Sequence, residues 1–295
     1  MKWTPGAQSD DIEDVRGMST GGRGFGGRGF AMPLTGSGIV IAIILAIASQ
    51  VCGVNFLGGG GDDQQTQPTQ QQPTQYSQSP QESQPRGAND PEKHTMQFVS
   101  FVLDDVQKTF DQMFAEHGWK YRHAHLVVFT DDIDTGCGES SAAVGPFYCP
   151  PDEKAYIDLS FFQELHDRFG AAGEFAQAYV LAHELGHHVQ HLLGIDEKIG
   201  RGHDDSIRLE LQADCFAGVW GHSTDQRHLL DEGEAREAID AAASIGDDRL
   251  QKMSGRRVNP ETWTHGSSDQ RVKWFRRGFE SGRFEDCDTF TARDL

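Results

Sequence analysis

Glu174–Gly194, EFAQAYVLAHELGHHVQHLLG, decides the fold of this chain, because it reads as one helix carrying two histidines and a glutamate at the spacing of a metal site. Phe175, Tyr179, Ala182, Val189 and Leu193 recur at near-helical intervals as its apolar positions, and Gly194 stands where a C-terminal cap is expected. His183 and His187 are four residues apart, so they project from one face with their Cβ atoms roughly 5–6 Å apart, a separation from which two imidazoles reach one zinc ion. Glu184 completes HExxH, in which the carboxylate takes a proton from water at the metal. A chance HExxH in a chain with this many histidines is about a one-in-thirty event, so the surroundings have to decide. They are apolar, which does not fit histidines on a solvated face.

A catalytic zinc needs a third protein ligand and an open position. The metzincin arrangement places Gly three and His six residues after the second histidine; here those positions are Gln190 and Leu193, which excludes that subclass. His191 lies a further turn along, too far down the axis to share the ion, and reads as a helix-face residue. The better candidate is in Asp205–Gly221, DSIRLELQADCFAGVWG, a second helix with Ile207, Leu211, Phe216, Val219 and Trp220 as apolar members. Glu210 and Asp214 share one of its faces. In this reading Glu210 is the third ligand and Asp214 accepts a hydrogen bond from a ligand histidine, fixing its tautomer. A solvated acidic face is the alternative, and LELQADCFAGVW is too apolar for it.

HExxH followed by ExxxD resembles the gluzincin metallopeptidases, typified by thermolysin. GPFYCP, YIDLSFF, AYVLAHELGHHVQ, RLELQADCFAGVW, IGDD and THGSSDQRVKWF extend the likeness, from about Cys137 to Phe290, to the bacterial putative neutral zinc metallopeptidase family, which is similar also in its single span and Gly-rich tail. That resemblance implies zinc and peptide-bond hydrolysis. THGSSDQRVKWFRRGF is further similar to the late segment of membrane CAAX-type endopeptidases in which a histidine and a following arginine approach the site. His265 and Arg271 occupy those places, His265 as the donor that meets transition-state charge and Arg271 as a second such contact. The plainer alternatives are a loop histidine and a helix salt-bridge partner.

The expected fold is α+β and zincin-like, with a small sheet from His125–Thr130 and Ala155–Leu159 beside the two metal-bearing helices. The stretch between these strands, DDIDTGCGESSAAVGPFYCPPDEK, reads as a loop, and MQFVSFVLDDVQKTFDQMF as a core helix with Phe98, Val102, Val106, Phe110 and Met113 on its buried stripe. An exposed sheet edge would let a peptide lie down as an extra strand. The expected chemistry is hydrolysis by zinc-activated water with Glu184 as general base. Two readings from other classes stand beside it: an assembly or interaction protein with a structural zinc, against which the intact Glu184 argues, and a zinc amidase acting on cell-wall peptides.

Composition organises the remainder. The chain has 295 residues, 37% of them hydrophobic, and a net charge of −19, which suits one domain plus non-globular segments. Residues 1–37, with GGRGFGGRGF, read as a disordered cytoplasmic tail; two RGF repeats are thin support for RNA binding. Residues 38–57, GIVIAIILAIASQVCGVNFL, carry no charge and are long enough to span a bilayer, with a cleaved signal peptide as the competing reading. Arg23 and Arg28 precede this stretch and Asp62 and Asp63 follow it, so the sequence predicts a single-pass protein of the cell membrane with a cytoplasmic N-terminus and an extracytoplasmic catalytic domain. Residues 58–94 form a Gln/Pro/Ser/Thr-rich linker, and 95–295 the metallopeptidase domain. Residues 1–57 hold four basic and four acidic side chains, so the whole charge of −19 lies beyond them. That argues against nucleic acid or anionic lipid as its partner, while a peptide or protein substrate is what the family resemblance implies.

Outside the apolar stretch the cysteines are Cys137, Cys149, Cys215 and Cys287, an even number on an oxidising side. Cys137 and Cys149 bracket one loop and are paired on that ground, which pairs Cys215 with Cys287 by elimination. No CxxC is present to favour a cysteine zinc cluster. A reactive Cys215 thiol has nothing nearby to activate it.

Overall fold

The computed structural model describes residues 1–18, 90–170, 173–198, 200, 202–255 and 257–295. The segment 19–89, which contains the predicted span 38–57 and most of the predicted linker, lies outside the described residues. Among the described residues no helix is long and apolar enough to cross a membrane.

The two short apolar runs expected as strands are β2 (His125–Phe129) and β6 (Lys154–Asp158), and they pair in parallel, with Val128 opposite Ile157. Period-two alternation sends Leu126, Val128, Ala155 and Ile157 into the main core and Val127, Phe129 and Tyr156 into a smaller cluster on the opposite face. Both faces are covered, which is why these strands read as continuous apolar runs. The stretch between them, expected as a loop, contains a hairpin of β3 (Asp132–Thr135) and β4 (Gly138–Ser141), followed by β5 (Phe147–Cys149). These strands are three or four residues long, and β3 and β4 are largely polar, so they give little periodic signal. The Cys137–Cys149 disulfide ties the hairpin turn to β5, which pairs antiparallel with β6 and ends the sheet.

The sheet order is β1-β2-β6-β5, and its first member corrects, for residues 1–18, the reading of 1–37 as a disordered tail, of which 19–37 lie outside the described residues. β1 (Ile12–Asp14) pairs in parallel with β2, Ile12 opposite Leu126. Trp3 lies against His94, Phe98 and Phe101 and donates from Nε1 to Glu174. Arg16, 6% exposed, is bound by Asp14, Asp90 and Glu92. The sequence hides this arm because its anchors are single residues, Trp3, Ile12 and Arg16, spaced among Gly, Asp and Ser. One physical consequence follows: residues 1–18 share a sheet with the domain, so both lie on one side of any membrane. An N-terminus on the opposite face from the domain does not fit that pairing.

The helices of more than one turn are α1 (Lys93–Glu116), α2 (Ser160–Phe169), α3 (Glu174–Leu192), α4 (His203–Gln226), α5 (Glu234–Ser244), α6 (Asp247–Met253) and α7 (Ser268–Ser281), and a single turn, Ile195–Lys198, follows α3. On α1 the predicted Phe98, Val102, Val106 and Phe110 are buried. α3 ends as expected, Gly194 taking a left-handed φ of 62° and donating to the His191 carbonyl. α4 is longer than Asp205–Gly221 at both ends. Missing side chains set how closely the site helices approach. A Cβ on Gly186 of α3 would stand 3.0 Å from the Ala213 carbonyl oxygen of α4, and one on Gly278 of α7 would stand 1.9 Å from the Cys215 carbonyl oxygen. The crossing at Gly186 brings the HExxH face onto Glu210; the contact at Gly278 brings Arg271 onto Asp214.

Candidate metal centre

His183 and His187 on α3 and Glu210 on α4 bring one ligand atom each within 4.8 Å of one another. His183 Nε2 lies 3.2 Å from Glu210 Oε2 and His187 Nε2 lies 3.6 Å from Glu210 Oε1. Zinc bonds of roughly 2.0–2.2 Å in a tetrahedron set neighbouring donor atoms about 3.3–3.6 Å apart, so this donor set fits a zinc ion in type, and its two histidine–glutamate separations lie near that spacing. The rings stand nearly perpendicular, at 89°, with centroids 4.8 Å apart.

Both ring Nδ1 atoms are spoken for. His183 Nδ1 donates to Asp214 Oδ1 at 2.9 Å, as the sequence predicts, and His187 Nδ1 donates to Gln190 Oε1 at 2.8 Å. The tautomers are thereby set with Nε2 turned to the metal position. Asp214 is fully buried and also accepts from Tyr179 Oη at 2.5 Å and from Arg271 Nε and Nη2 at 2.8 and 2.9 Å. Burial alone would raise the Asp214 pKa, but Arg271 and His183 outweigh it and hold it below the usual carboxylate range. Tyr179, read in the sequence as an apolar helix position, is a polar member of this cluster.

Glu184 projects from the same helix and is buried. Burial raises its carboxyl pKa above the ordinary value against the opposing pull of His183 and His187, the direction expected for a proton acceptor that must also release its proton. Glu210 shows the opposite balance. Burial would raise it, but His187, His265 and His183 hold it well below the carboxylate range.

Burial lowers the His265 pKa, but Glu210 and Asp247 outweigh it and hold it above the ordinary value. Its position is fixed by Asp247, the first residue of α6. Asp247 Oδ2 accepts from the backbone N–H groups of Thr264, His265 and Gly266 at 2.6, 2.7 and 3.1 Å, and Oδ1 faces His265 Nδ1 at 3.3 Å. Asp248 accepts from the Ser268 N–H in the same way. The motif IGDD is thus the clamp of the motif THGSS, which sequence spacing cannot show because the two are 17 to 20 residues apart.

Of the predicted site residues, His183, Glu184, His187, Glu210, Asp214, His265 and Arg271 all come to one region. Arg271 is buried and spends Nε and Nη2 on Asp214 and Tyr179, the salt-bridge alternative. His191 is outside the ligand set and bonds Asp196 at 2.8 Å. Cys215 is joined to Cys287, so its thiol is not free. The residues that sequence reasoning missed are Gln190, Tyr179 and Asp247. Gln190 carried a findable signal, since it lies three residues after His187 on one helix face.

Such a site, two histidines and a glutamate on crossing helices with a buried carboxyl beside them, defines a class: proteins built around a single zinc ion. The chain belongs to the family described as putative neutral zinc metallopeptidase, whose model matches residues 1–290, including the N-terminal arm, and whose cofactor is zinc. It is 43% identical over 299 residues to the uncharacterized protein YpfJ of Escherichia coli, covering 98% of this chain and 99% of that one. It is 47% identical over 190 residues to the uncharacterized protein Mb2605 of Mycobacterium bovis, covering 59% of this chain and 65% of that one. No solved structure was found to match it.

Proposed function

We propose that the protein is a zinc metallopeptidase that hydrolyses peptide bonds in peptide or protein substrates. The observation that carries this reading is the convergence of two imidazole Nε2 atoms on the Glu210 carboxylate, each Nδ1 already donated, beside the buried Glu184. Zinc held by His183, His187 and Glu210 would polarise the carbonyl and lower the pKa of its water toward about 7. Glu184 takes the proton as water attacks and passes it to the leaving amine. His265, fixed by Asp247, donates toward the oxygen on which charge develops. Arg271 acts through Asp214 on His183. Among the described residues β5 pairs on one side only, with β6, and would offer its other edge to an extended peptide.

The two disulfides fit an extracytoplasmic location. A single crossing through 38–57 would put residues 1–18 and the domain on opposite faces, which the pairing of β1 with β2 does not allow.

The test is cleavage of unfolded protein by the full-length chain with and without chelator. His187→Ala and Glu210→Ala should each lose zinc by elemental analysis. Glu184→Gln should keep zinc and fold while hydrolysis falls by roughly 10²–10⁴, the size of a general-base contribution. Undiminished turnover in that variant would mean another base.

A further inference from the structure

The two histidine ligands are held in different ways, and the second is held without any charge. His187 Nδ1 meets Gln190 Oε1 at 2.8 Å. The carboxamide of Gln190, 1% exposed, sends Nε2 to the Leu209 carbonyl oxygen at 2.7 Å and to Gln212 Oε1 at 3.2 Å. Gln212 sends its own Nε2 to the Cys287 carbonyl oxygen at 3.0 Å. Both ends of this relay are backbone carbonyls, which only accept. The group facing Leu209 must therefore be the amide NH₂ of Gln190, so its oxygen faces His187, so His187 must carry its proton on Nδ1 and leave the Nε2 lone pair toward the metal position. The Cys287 carbonyl imposes the same sense on Gln212, which imposes it again on Gln190.

We infer that Gln190 is a positioning residue that locks the tautomer of His187 and, through the Leu209 carbonyl, ties that ligand to the peptide immediately before Glu210. One side chain then sets the proton of one ligand and its separation from another. The Gln212 link extends the brace to Cys287, which the disulfide to Cys215 fixes against α4. A carboxylate at position 190 could not replace the amide in its ionised form, because one oxygen would face the Leu209 carbonyl.

The inference rests on the reading of His187 as a metal ligand, and the experiment separates the two. Zinc affinity of the full-length chain is measured by chelator competition for the unsubstituted protein, His187→Ala, Gln190→Met and Gln212→Met, with melting of each metal-free protein as the control for folding. Ring-nitrogen NMR at pH 8 reads the His187 tautomer. Gln190→Met should bind zinc 10- to 100-fold more weakly, the usual loss on removing a partner of a ligand histidine, with metal-free melting close to that of the unsubstituted chain. Its His187 ring should pass from Nδ1-protonated to a mixture of tautomers. Gln212→Met should show a smaller loss, since the Leu209 carbonyl still orients Gln190. If His187→Ala binds zinc as tightly as the unsubstituted chain, the ligand reading fails. If His187→Ala loses zinc while Gln190→Met keeps its affinity within about twofold and its His187 proton on Nδ1, the positioning role is overturned. Should Gln190→Met not fold, Gln212→Met decides, and unchanged affinity there counts against the relay.

Discussion

Among the described residues two arginines are buried, and the carboxylates around them differ. Arg271, 2% exposed, meets one carboxylate, the fully buried Asp214, with the Tyr179 hydroxyl alongside. Arg16 meets three carboxylates, Asp14 from its own arm and Asp90 and Glu92 from the start of α1. Desolvating a guanidinium is costly, and both sites offset it with short charge-assisted hydrogen bonds. The difference lies in what each arginine's absence would expose. Asp214 sits between α3, α4 and α7 and has no route to water, whereas the carboxylates around Arg16 lie where an 18-residue arm meets the body, Glu92 being 37% exposed. The first pair is an internal part of the metal centre. The second is a clasp.

The largest effect should therefore come from Arg271→Met. It leaves a buried, uncompensated Asp214, and breaking such a pair from one side costs about 3–5 kcal/mol. Urea unfolding of the metal-free protein checks this, and a loss below about 1 kcal/mol would show that Asp214 reaches water or takes a proton instead. Arg16→Met should cost less, on the order of 2–3 kcal/mol, the range of charge-assisted hydrogen bonds, because its carboxylates regain water once the arm lifts away. The expected products are a protease-sensitive N-terminus and an intact zinc site. A chain beginning at residue 91 should show the same loss. If either change abolishes zinc binding, the arm is part of the centre and the contrast between the two arginines collapses.

How far the sequence discloses these regions follows from the spacing of their parts. The HExxH residues are legible because they lie within one turn of one helix, and Glu210 with Asp214 because they too are one turn apart. His183 meeting Asp214 could be inferred from chemistry, since a ligand histidine needs an acceptor for its other nitrogen. Arg271 reaching Asp214 could not be inferred from spacing, because the approach of α7 to α4 depends on Gly218 and Gly278 facing one another. β1 was hidden for a different reason. Three residues beside a Gly-Arg-rich stretch carry no periodicity, and their partner strand lies more than a hundred residues away. Gln190 is visible in the sequence, but the metzincin pattern tests that position only for a glycine and says nothing of its amide.

Asp247 sharpens the contrast from the other side, as a buried anion without an arginine. It is 3% exposed, and its partners are three peptide N–H groups and the ring of His265. Burial raises its pKa, but the His265 ring and these N–H groups lower it further, and the net shift is downward. A carboxyl whose folded pKa lies below its unfolded value contributes stability that is complete above the unfolded pKa and is lost as pH falls through the folded one. Asp247→Asn keeps an oxygen for the N–H groups of Thr264, His265 and Gly266 but removes the charge, so the loss at neutral pH should be about 1 kcal/mol, the smallest of the three. The sign is the sharper test: the stability difference between the two proteins should shrink as pH is lowered through the acid range, because only the unsubstituted chain has this carboxylate to protonate. The substitution also turns an amide NH₂ toward His265 Nδ1, moving that ring's proton to Nε2. Unfolding curves whose separation stays constant from neutral to acid pH would mean that Asp247 is already protonated in the folded protein and that the THG segment is held by neutral hydrogen bonds alone.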